Sequence, residues 1–302
     1  MSVAQLESAE IELEAPSGLW SEAWRRLVRN PGAIVGFVLV ALFVLTAIFA
    51  PLIAPFDPRD QNLSLLADGC CPGPSADHWF GVDDLGRDQF SRVVYGARFS
   101  LLIGVVAVSV GVSIGLLLGS ISGFFGGKTD TVIMRLMDIM LSIPGLLMAI
   151  GIAAMLGPGL FSIMIAIGVI NVPIFARLLR GSVLGQKGND FVLAARAIGV
   201  PRRTILFSHI LPNAISPIIV AATLALATAI IDAAGLGFLG LGPQDPSTPE
   251  WGTMLTNTVR YLQTAPHLAI IPGLAIVISV LGFNLIGDGL REALDPKLRG
   301  RT

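Results

Sequence analysis

Residues 139–176 form a run of 38 residues without an Asp, Glu, Lys or Arg. As one α-helix this run would be about 57 Å long, almost twice the ~30 Å hydrocarbon thickness of a bilayer. Gly157, Pro158 and Gly159 lie near its middle, where proline removes a hydrogen-bond donor and glycine permits a reversal of the backbone. The run therefore predicts two membrane-spanning helices joined by a tight turn.

Four further runs lack these charged residues, and each is long enough to cross a bilayer once. They are residues 32–56, 99–127, 204–231 and 261–287. Only 14% of the chain is charged, against about a quarter in soluble domains, which excludes an ordinary soluble enzyme. We predict an all-α integral membrane protein with six transmembrane helices. Residues 1–31 would precede a six-span domain at 32–292, and residues 293–302 would form a tail.

The distribution of Lys and Arg predicts the orientation, because these residues are retained on the cytoplasmic side. With the N-terminus inside, fifteen of the twenty Lys and Arg residues fall inside. The five that fall outside are Arg59, Arg87, Arg92, Arg98 and Arg260. Both termini are predicted to be cytoplasmic, and the first span lacks the positive start and cleavage site of a removable signal.

Several patterns that suggest other chemistries lack the required context. The net charge of −1 and the absence of a basic tract argue against a nucleic-acid partner. Residues 123–129 resemble a phosphate-binding loop, and residues 235–240 match a dinucleotide fingerprint, but neither lies in a strand–turn–helix unit. His78, His209 and His267 lack the spacing of a zinc site. We predict no metal centre and no catalytic residue in this chain.

The chain has two cysteines, Cys70 and Cys71, which are neighbours in the sequence. Adjacent cysteines rarely meet the geometry of a disulfide. The prediction is therefore two thiols that form no disulfide framework.

The second span carries glycines at intervals of four residues, at Gly111, Gly115, Gly119 and Gly123. Such a stripe lies on one helical face and lets two helix backbones approach closely in lipid. It predicts a packing face, either within the chain or toward a partner.

The cytoplasmic segment at residues 177–212 is predicted to contain a short surface helix at 190–199. Asp190 can cap its N-terminus, Gly199 suits the left-handed position after its last turn, and Pro201 prevents continuation. The adjacent alanines Ala194 and Ala195 would leave room for another surface to approach. These features are typical of a docking element.

This segment resembles the cytoplasmic signature of ABC importer permeases, in which Glu-Ala-Ala, three residues, Gly and nine residues precede Ile-x-Leu-Pro. Ala194, Ala195, Gly199, Leu211 and Pro212 fall in register. Leu193 and His209 depart from the Glu and the Ile of the pattern, so no role of that acid carries over. Residues 78–98, 238–242 and 287–296 are similar to segments of the C-type permease of dipeptide, oligopeptide and nickel importers.

The resemblance implies an ABC importer permease fold in a bacterial cytoplasmic membrane and four kinds of partner. These are a second homologous permease subunit, two ATPase subunits, an extracytoplasmic solute-binding protein and membrane lipid. ATP and Mg²⁺ would be bound by the ATPase subunits and no cofactor by this chain. The expected ATPase-docking residues are Asp190, Ala194, Ala195, Arg196, Gly199 and Pro212.

Residues 57–98 are predicted to form an external loop that contacts the binding protein, since most connections are far shorter. The expected contact residues are Asp83, Asp84, Arg87 and Asp88. A lid that packs only on itself is the alternative.

Polar residues within the spans are candidates for a gate or pathway, because such groups are costly in lipid. Asp232 lies in the fifth predicted span, about 27 Å from its inner end at helical rise, so a surface acid is the alternative. Asn284, in the sixth, could instead hydrogen-bond between helices. Asp138 is predicted to pair with Arg135 on the same helix.

The predicted substrates are dipeptides or oligopeptides, with nickel or glutathione as alternatives. A self-contained secondary transporter would need coupling-ion sites on broken helices in repeated halves, and the sequence has no clear repeat. A membrane-embedded enzyme would need clustered acids or histidines within the bilayer.

Overall fold

The computed structural model describes residues 19–67, 69–245, 247–256 and 258–294. Residues 1–18 and 295–302, which belong to the predicted terminal segments, lie outside this description. Within the described residues the structure is helical, and β pairing is limited to one isolated bridge between Val82 and Asp88.

The α-helices follow one another along the chain without a sheet. They are α1 Leu19–Leu27, α2 Pro31–Ile48, α3 Ala50–Ile53, α4 Gln89–Phe125, α5 Gly127–Ser142, α6 Gly145–Leu156, α7 Leu160–Lys187, α8 Asp190–Ala197, α9 Arg202–Thr204, α10 Leu211–Ala214, α11 Ser216–Leu236, α12 Trp251–Thr256 and α13 His267–Leu294. Two 3₁₀ turns, Leu63–Leu66 and Thr258–Tyr261, and two π-helical segments, Ile205–Ile210 and Gly237–Leu241, complete the described elements.

Five of the described helices are long and apolar enough to cross a membrane: α2, α4, α7, α11 with its π-helical end, and α13. The sixth candidate span is α5 and α6 together, a pair bent by 92°. The third predicted span is therefore not one continuous helix. Ile143 has extended backbone angles (φ −93°, ψ 130°), because the residue before a proline, here Pro144, is pushed out of the helical region.

The predicted break within the long apolar run is confirmed. Helix α6 ends before Gly157, whose φ of +84° lies in the left-handed region, and α7 begins after Gly159. Glycine adopts this conformation without the steric cost that a Cβ imposes.

Helix α4 begins at Gln89, ten residues earlier than the charge-free run suggests. Residues 89–98 are thus helical, and the loop predicted at residues 57–98 is shorter than expected. Asp88 caps the helix, since one carboxylate oxygen accepts the N–H of Ser91 at 2.7 Å. The first turns carry the polar residues Gln89, Ser91 and Arg92, all of them buried, so charge alone did not mark the start of this helix.

The glycine stripe of α4 packs against α7, which settles the choice between a face within the chain and one toward a partner. A methyl group at Gly115 would lie 2.5 Å from Cβ of Phe175, and one at Gly119 would lie 2.5 Å from the carbonyl oxygen of Ala176. Cβ atoms do not approach other atoms this closely, so the two backbones are in contact only because these residues are glycines.

Helix α7 lies at the centre of the bundle. In its most apolar 18-residue stretch 67% of residues are buried, against 11% in α2 at the periphery. Helix α2 packs on α13 through Gly36, where a methyl group would lie 2.8 Å from the carbonyl oxygen of Gly282. Helix α13 packs in turn on α11, where Gly287 lies against Leu224.

Ion pairs join the α5 helix to α7 at the end where α4 also terminates. Arg180 donates to both carboxylate oxygens of Asp130, with an Nη2–Oδ2 distance of 2.6 Å. Asp138 pairs with Arg177, so the predicted partner Arg135 is wrong. Asp138 meets Arg177 because α5 packs against α7 in the bundle.

Cys70 and Cys71 are joined in a disulfide, so the prediction of two thiols is also wrong. Cys71 has a φ of +70° and Gly69 a φ of +127°, so the backbone turns sharply at this pair. Cys71 is buried against Ala265 and Leu268, so the loop before α4 packs at the start of α13.

Candidate functional site

The predicted docking helix is present as α8, which is eight residues long. Asn189 occupies the N-cap position without a side-chain cap, and Asp190 is the first helical residue. The prediction that Asp190 caps the helix is therefore wrong. Asn189 instead donates from Nδ2 to Oε1 of Gln186 at 2.7 Å, because its side chain turns back to the end of α7.

The C-terminus of α8 is closed as predicted by Gly199, which has a φ of +79°. The N–H of Gly199 donates to the carbonyl of Arg196 at 3.0 Å, and the N–H of Val200 donates to that of Ala195 at 3.0 Å. These two bonds form a Schellman motif and satisfy carbonyls that the helix end leaves free.

One face of α8 is held inside the chain. Val192 is completely buried and Ala195 is 7% exposed, and both belong to the cluster that contains Ile205, Leu206 and Ile210. Of the two predicted docking alanines, only Ala194 is therefore at the surface. Ala195 instead sets how closely α8 sits on the π-helical segment.

The other face of α8 is exposed and largely apolar. Phe191 is 41% exposed, Leu193 49% and Ile198 81%, and Asp190 and Arg196 are exposed beside them. Pro212 is exposed at the start of α10. Five of the six residues predicted to dock a partner thus remain accessible.

The docking helix is tied to the ends of the spans. Lys187 donates from Nζ to the carbonyl oxygen of Phe124 at 2.7 Å, which joins the last residue of α7 to the end of α4. Helix α8 begins only three residues later, at Asp190.

The loop before α4, which was predicted to be external, has a buried ionic centre. Asp83 accepts from Nε of Arg87 at 2.7 Å, and the same oxygen forms an ion pair with Nε of Arg92 at 3.4 Å. The second oxygen of Asp83 accepts the backbone N–H groups of Leu85 at 3.0 Å and Arg87 at 2.9 Å. A buried carboxylate with this many donors fixes the conformation of the loop.

Asp88 and Asp84 differ in their surroundings. Asp88 is 3% exposed, and its Oδ1 lies 2.9 Å from Nδ1 of His78. Asp84 is half-buried and lines a cavity of about 40 Å³ beside Tyr261. Burial, followed by the neighbouring charge of Asp83, raises the pKa of the Asp84 carboxyl. Three of the four residues predicted to contact a binding protein therefore lie inside the loop.

The two candidate gate residues are half-buried in their spans, Asp232 in α11 and Asn284 in α13. Within the described part of the chain neither side chain makes a hydrogen bond. The structure does not join them into one site.

No group of three or more His, Cys, Asp or Glu residues that could hold a metal ion occurs among the described residues. Residues 235–240, which match a dinucleotide fingerprint, form the end of α11 and its π-helical extension. That match is to a membrane helix and not to a nucleotide-binding turn.

Residues 115–300 match the family described as the binding-protein-dependent transport system inner membrane component, and residues 18–67 match the N-terminal transmembrane domain of oligopeptide transport permease C. The first match covers the docking helix and five of the candidate spans in whole or part. The chain belongs to this family. It is a multi-pass membrane permease of the ABC importer type.

Relatives of the permease span nearly its whole length. A dipeptide transport system permease protein, DppC, of Alkalihalophilus pseudofirmus is 50% identical over 93% of the chain and 90% of its own length. A di/tripeptide transport system permease protein, DppC, of Pseudomonas aeruginosa is 46% identical over 97% and 96%. A glutathione transport system permease protein, GsiD, of Escherichia coli is 48% identical over 93% and 91%.

Solved structures with this fold include an inward-facing conformation of the MetNI methionine ABC transporter. One of its chains matches with a TM-score of 0.56 at 21% identity, covering 68% of the permease and 97% of that chain. The likeness supports the fold of the permease and, at this identity, nothing about its substrate.

Glu250 is a buried acid of the permease that the sequence did not single out. It is 1% exposed at the start of α12, where its two oxygens accept the N–H groups of Gly252 at 2.8 Å and Thr253 at 2.7 Å. Ser100 of α4 donates to the same carboxylate at 3.5 Å. Burial raises the pKa of Glu250 above its ordinary value of 4.5. The position of this single acid directly before Trp251 was the only sequence feature that could have drawn attention to Glu250.

Proposed function

We propose that this chain is the C-type permease subunit of an ATP-driven importer of dipeptides or other short peptides and forms half of its translocation pathway. The observation that carries the proposal is the 46% to 50% identity, over more than nine tenths of the chain, to two permeases of peptide transport systems. The exposed face of α8 supports the view that this chain is a subunit that depends on separate ATPase subunits.

The partners in this proposal are a homologous permease subunit, two ATPase subunits and an extracytoplasmic binding protein. ATP and Mg²⁺ act on the ATPase subunits, and this chain contributes no catalytic group. The docking contact is made by Asp190, Ala194, Arg196, Pro212 and the exposed apolar residues of α8. Ala195 and Gly199 act indirectly, because they fix the position and the end of that helix.

The coupling step follows from how rigidly α8 is held. ATP binds the closed form of the ATPase pair more tightly than the open form, and this difference in affinity supplies the bias. Closure of the ATPase pair displaces α8. The hydrogen bond from Lys187 to Phe124 transmits this displacement to α7 and α4. The spans then rock between inward-open and outward-open states, with Asp232 and Asn284 as candidate pathway residues.

The external loop is proposed to receive the binding protein at its exposed surface, where Trp79 is 58% exposed. Asp83, Arg87 and Asp88 hold this surface in shape from within, and Asp84 lies at its edge. Cross-linkers at Trp79 should capture the binding protein, and failure to capture it would favour a lid that packs only on itself.

The orientation places both termini and α8 in the cytoplasm and the loop outside. A cysteine at exposed Gln244 should react with an impermeant reagent in whole cells, in a chain whose Cys70 and Cys71 are serine. A cysteine at exposed Asn189 should react only after permeabilisation. The reverse labelling would overturn the orientation.

Glutathione is the second candidate substrate, because the permease of a glutathione transport system is 48% identical over 93% of the chain. Nickel remains the further alternative from the sequence resemblance. The ligand retained by the cognate binding protein, identified by mass spectrometry, distinguishes the three.

Co-purification tests the assembly. A tagged chain extracted in mild detergent should bring down stoichiometric ATPase subunits and a second permease. Recovery of the chain without an ATPase, although it is folded and at normal membrane level, would favour a self-contained secondary transporter.

A further inference from the structure

Helix α1 carries a buried stripe and an exposed apolar stripe side by side. Ala23 and Leu27 are buried, at 8% and 3% exposure. Trp24 and Val28 are exposed, at 61% and 43%. The N–H of Val28 donates to the carbonyl oxygen of Trp24 at 3.0 Å, so the helical geometry extends to Val28. Each exposed residue directly follows a buried one, which places the apolar stripe about 100° around the helix axis from the buried stripe.

A basic stripe lies beyond the exposed apolar one. Arg25 and Arg29, each two positions after a buried residue, are exposed and lie about 200° around the axis from the buried stripe. Between Ala23 and Asn30 the chain has three arginines and no acidic residue. An apolar stripe that contains tryptophan, with arginines on the polar side, is typical of helices that lie in the plane of a membrane interface.

The neighbours of α1 place it at the start of a span. Its buried stripe packs against Ala33 and Ala293, and Ala33 belongs both to the first turn of α2 and to the charge-free run at residues 32–56. Asn30, between the two helices, accepts the N–H of Ala33 at 3.0 Å and donates from Nδ2 to Oε2 of Glu292 at 2.6 Å. Helix α1 is therefore held against the first turn of α2 and the last turn of α13.

We propose that Trp24 and Val28 enter the acyl-chain boundary of the cytoplasmic leaflet, and that Arg25 and Arg29 bind the phosphates of anionic phospholipids there. Indole rings are enriched at this depth, and the cytoplasmic leaflet carries the anionic lipid that attracts basic residues. The inference rests on the cytoplasmic orientation in the proposed function but not on the substrate.

The anchored helix holds the adjoining ends of α2 and α13 at the membrane surface. An ATPase subunit could also cover an apolar stripe. Lipid is favoured here because Val28 lies only four residues before the charge-free run at 32–56, and because the buried stripe contacts a residue of that run.

Quenching by lipids brominated on their acyl chains tests the proposal, since bromine quenches only a fluorophore that it closely approaches. The assembled complex is placed in nanodiscs of brominated phosphatidylglycerol, with Cys70 and Cys71 replaced by serine. A fluorophore on Trp24→Cys or on Val28→Cys should be quenched strongly. Ile198→Cys is the matched control, because Ile198 is 81% exposed and apolar but lies in the docking segment, where quenching should be weak.

The charge of the lipid is tested with the fluorophore on Val28→Cys. Brominated phosphatidylcholine in place of phosphatidylglycerol should at least halve the quenching, and so should Arg25→Gln combined with Arg29→Gln. Arg202→Gln combined with Arg203→Gln removes two exposed arginines outside α1 and should leave the quenching unchanged.

Equal quenching of the fluorophores at Trp24→Cys and Ile198→Cys would overturn the proposal, and so would quenching that ignores both the lipid charge and the loss of Arg25 and Arg29. Quenching that occurs only after removal of the ATPase subunits would assign the apolar stripe to those subunits instead. Because the measurement uses neither ATP nor peptide, its failure is distinguishable from failure of the importer assignment.

Discussion

The N–H of Val200 donates to the carbonyl oxygen of Ala195 at 3.0 Å, across a turn in which Gly199 has a φ of +79°. A methyl group at Gly199 would meet no atom within 4 Å. The space around this residue is open, so only the backbone conformation requires glycine.

Gly199→Val should therefore uncouple transport without unfolding the spans. A β-branched residue in the left-handed region costs roughly 1 to 2 kcal/mol and displaces the end of α8. We expect normal membrane levels, greatly reduced uptake and ATPase activity that the loaded binding protein no longer stimulates. Gly199→Asn should be much milder, because asparagine tolerates this region. If valine and asparagine behave alike, the capped helix is not the basis of coupling.

Gly115→Ala should destabilise the bundle itself. The added methyl group would lie 2.5 Å from Cβ of Phe175, and such overpacking costs about 1 to 3 kcal/mol. Thermal unfolding in detergent should occur at a lower temperature than in the wild type. Gly181→Ala in α7, where a methyl group would meet nothing within 4 Å, is the control. An unchanged unfolding temperature for Gly115→Ala would contradict the close approach of α4 and α7.

Asp83→Asn should loosen the external loop, since it leaves the guanidinium groups of Arg87 and Arg92 buried beside a neutral side chain. Breaking a buried ion pair in this way costs about 3 to 5 kcal/mol. We expect faster proteolysis of the loop and weaker stimulation of the ATPase by the binding protein. Asp77→Asn removes the same charge at an exposed position and should have little effect. Equal proteolysis of both variants would argue against a structural role of Asp83.

Glu250 should make stability depend on pH. Its pKa is raised on folding from 4.5, so the folded chain binds more protons than the unfolded chain between the two pKa values. The contribution of Glu250 to stability is therefore present below pH 4.5 and declines as the pH rises toward the folded pKa. The unfolding temperature of the wild type minus that of Glu250→Gln should fall as the pH is raised from 4.5. A constant or rising difference would contradict a buried, desolvated carboxylate.

The sequence predicted those features that depend on local chemistry. Charge-free runs located the spans, Gly157 and Gly159 marked the turn before α7, and the left-handed Gly199 followed from its place after a short helix. The stripe from Gly111 to Gly123 predicted a packing face, although only the structure identified α7 as its partner.

Features that depend on contacts between distant residues were missed. The start of α4 at Gln89 was not predicted from charge-free runs, because the first turns of this helix carry polar residues. These residues are buried against the loop and not in lipid. Asp138 pairs with Arg177 on another helix, which no pattern within α5 could reveal. Pro144 could have predicted the bend in the third span, because the residue before a proline is pushed out of the helical region. The charge-free run continues on both sides of Pro144, so charge alone gave no sign of a break.

We expect transport by this chain to be driven by ATP that is hydrolysed on partner subunits. The most direct measurement is uptake of a radiolabelled dipeptide into proteoliposomes that contain the purified complex. The binding protein and the dipeptide are added outside, and ATP is enclosed inside. We expect uptake to require both ATP and the binding protein, and a proton gradient should not substitute for ATP. Uptake driven by a proton gradient in the absence of ATP would contradict it.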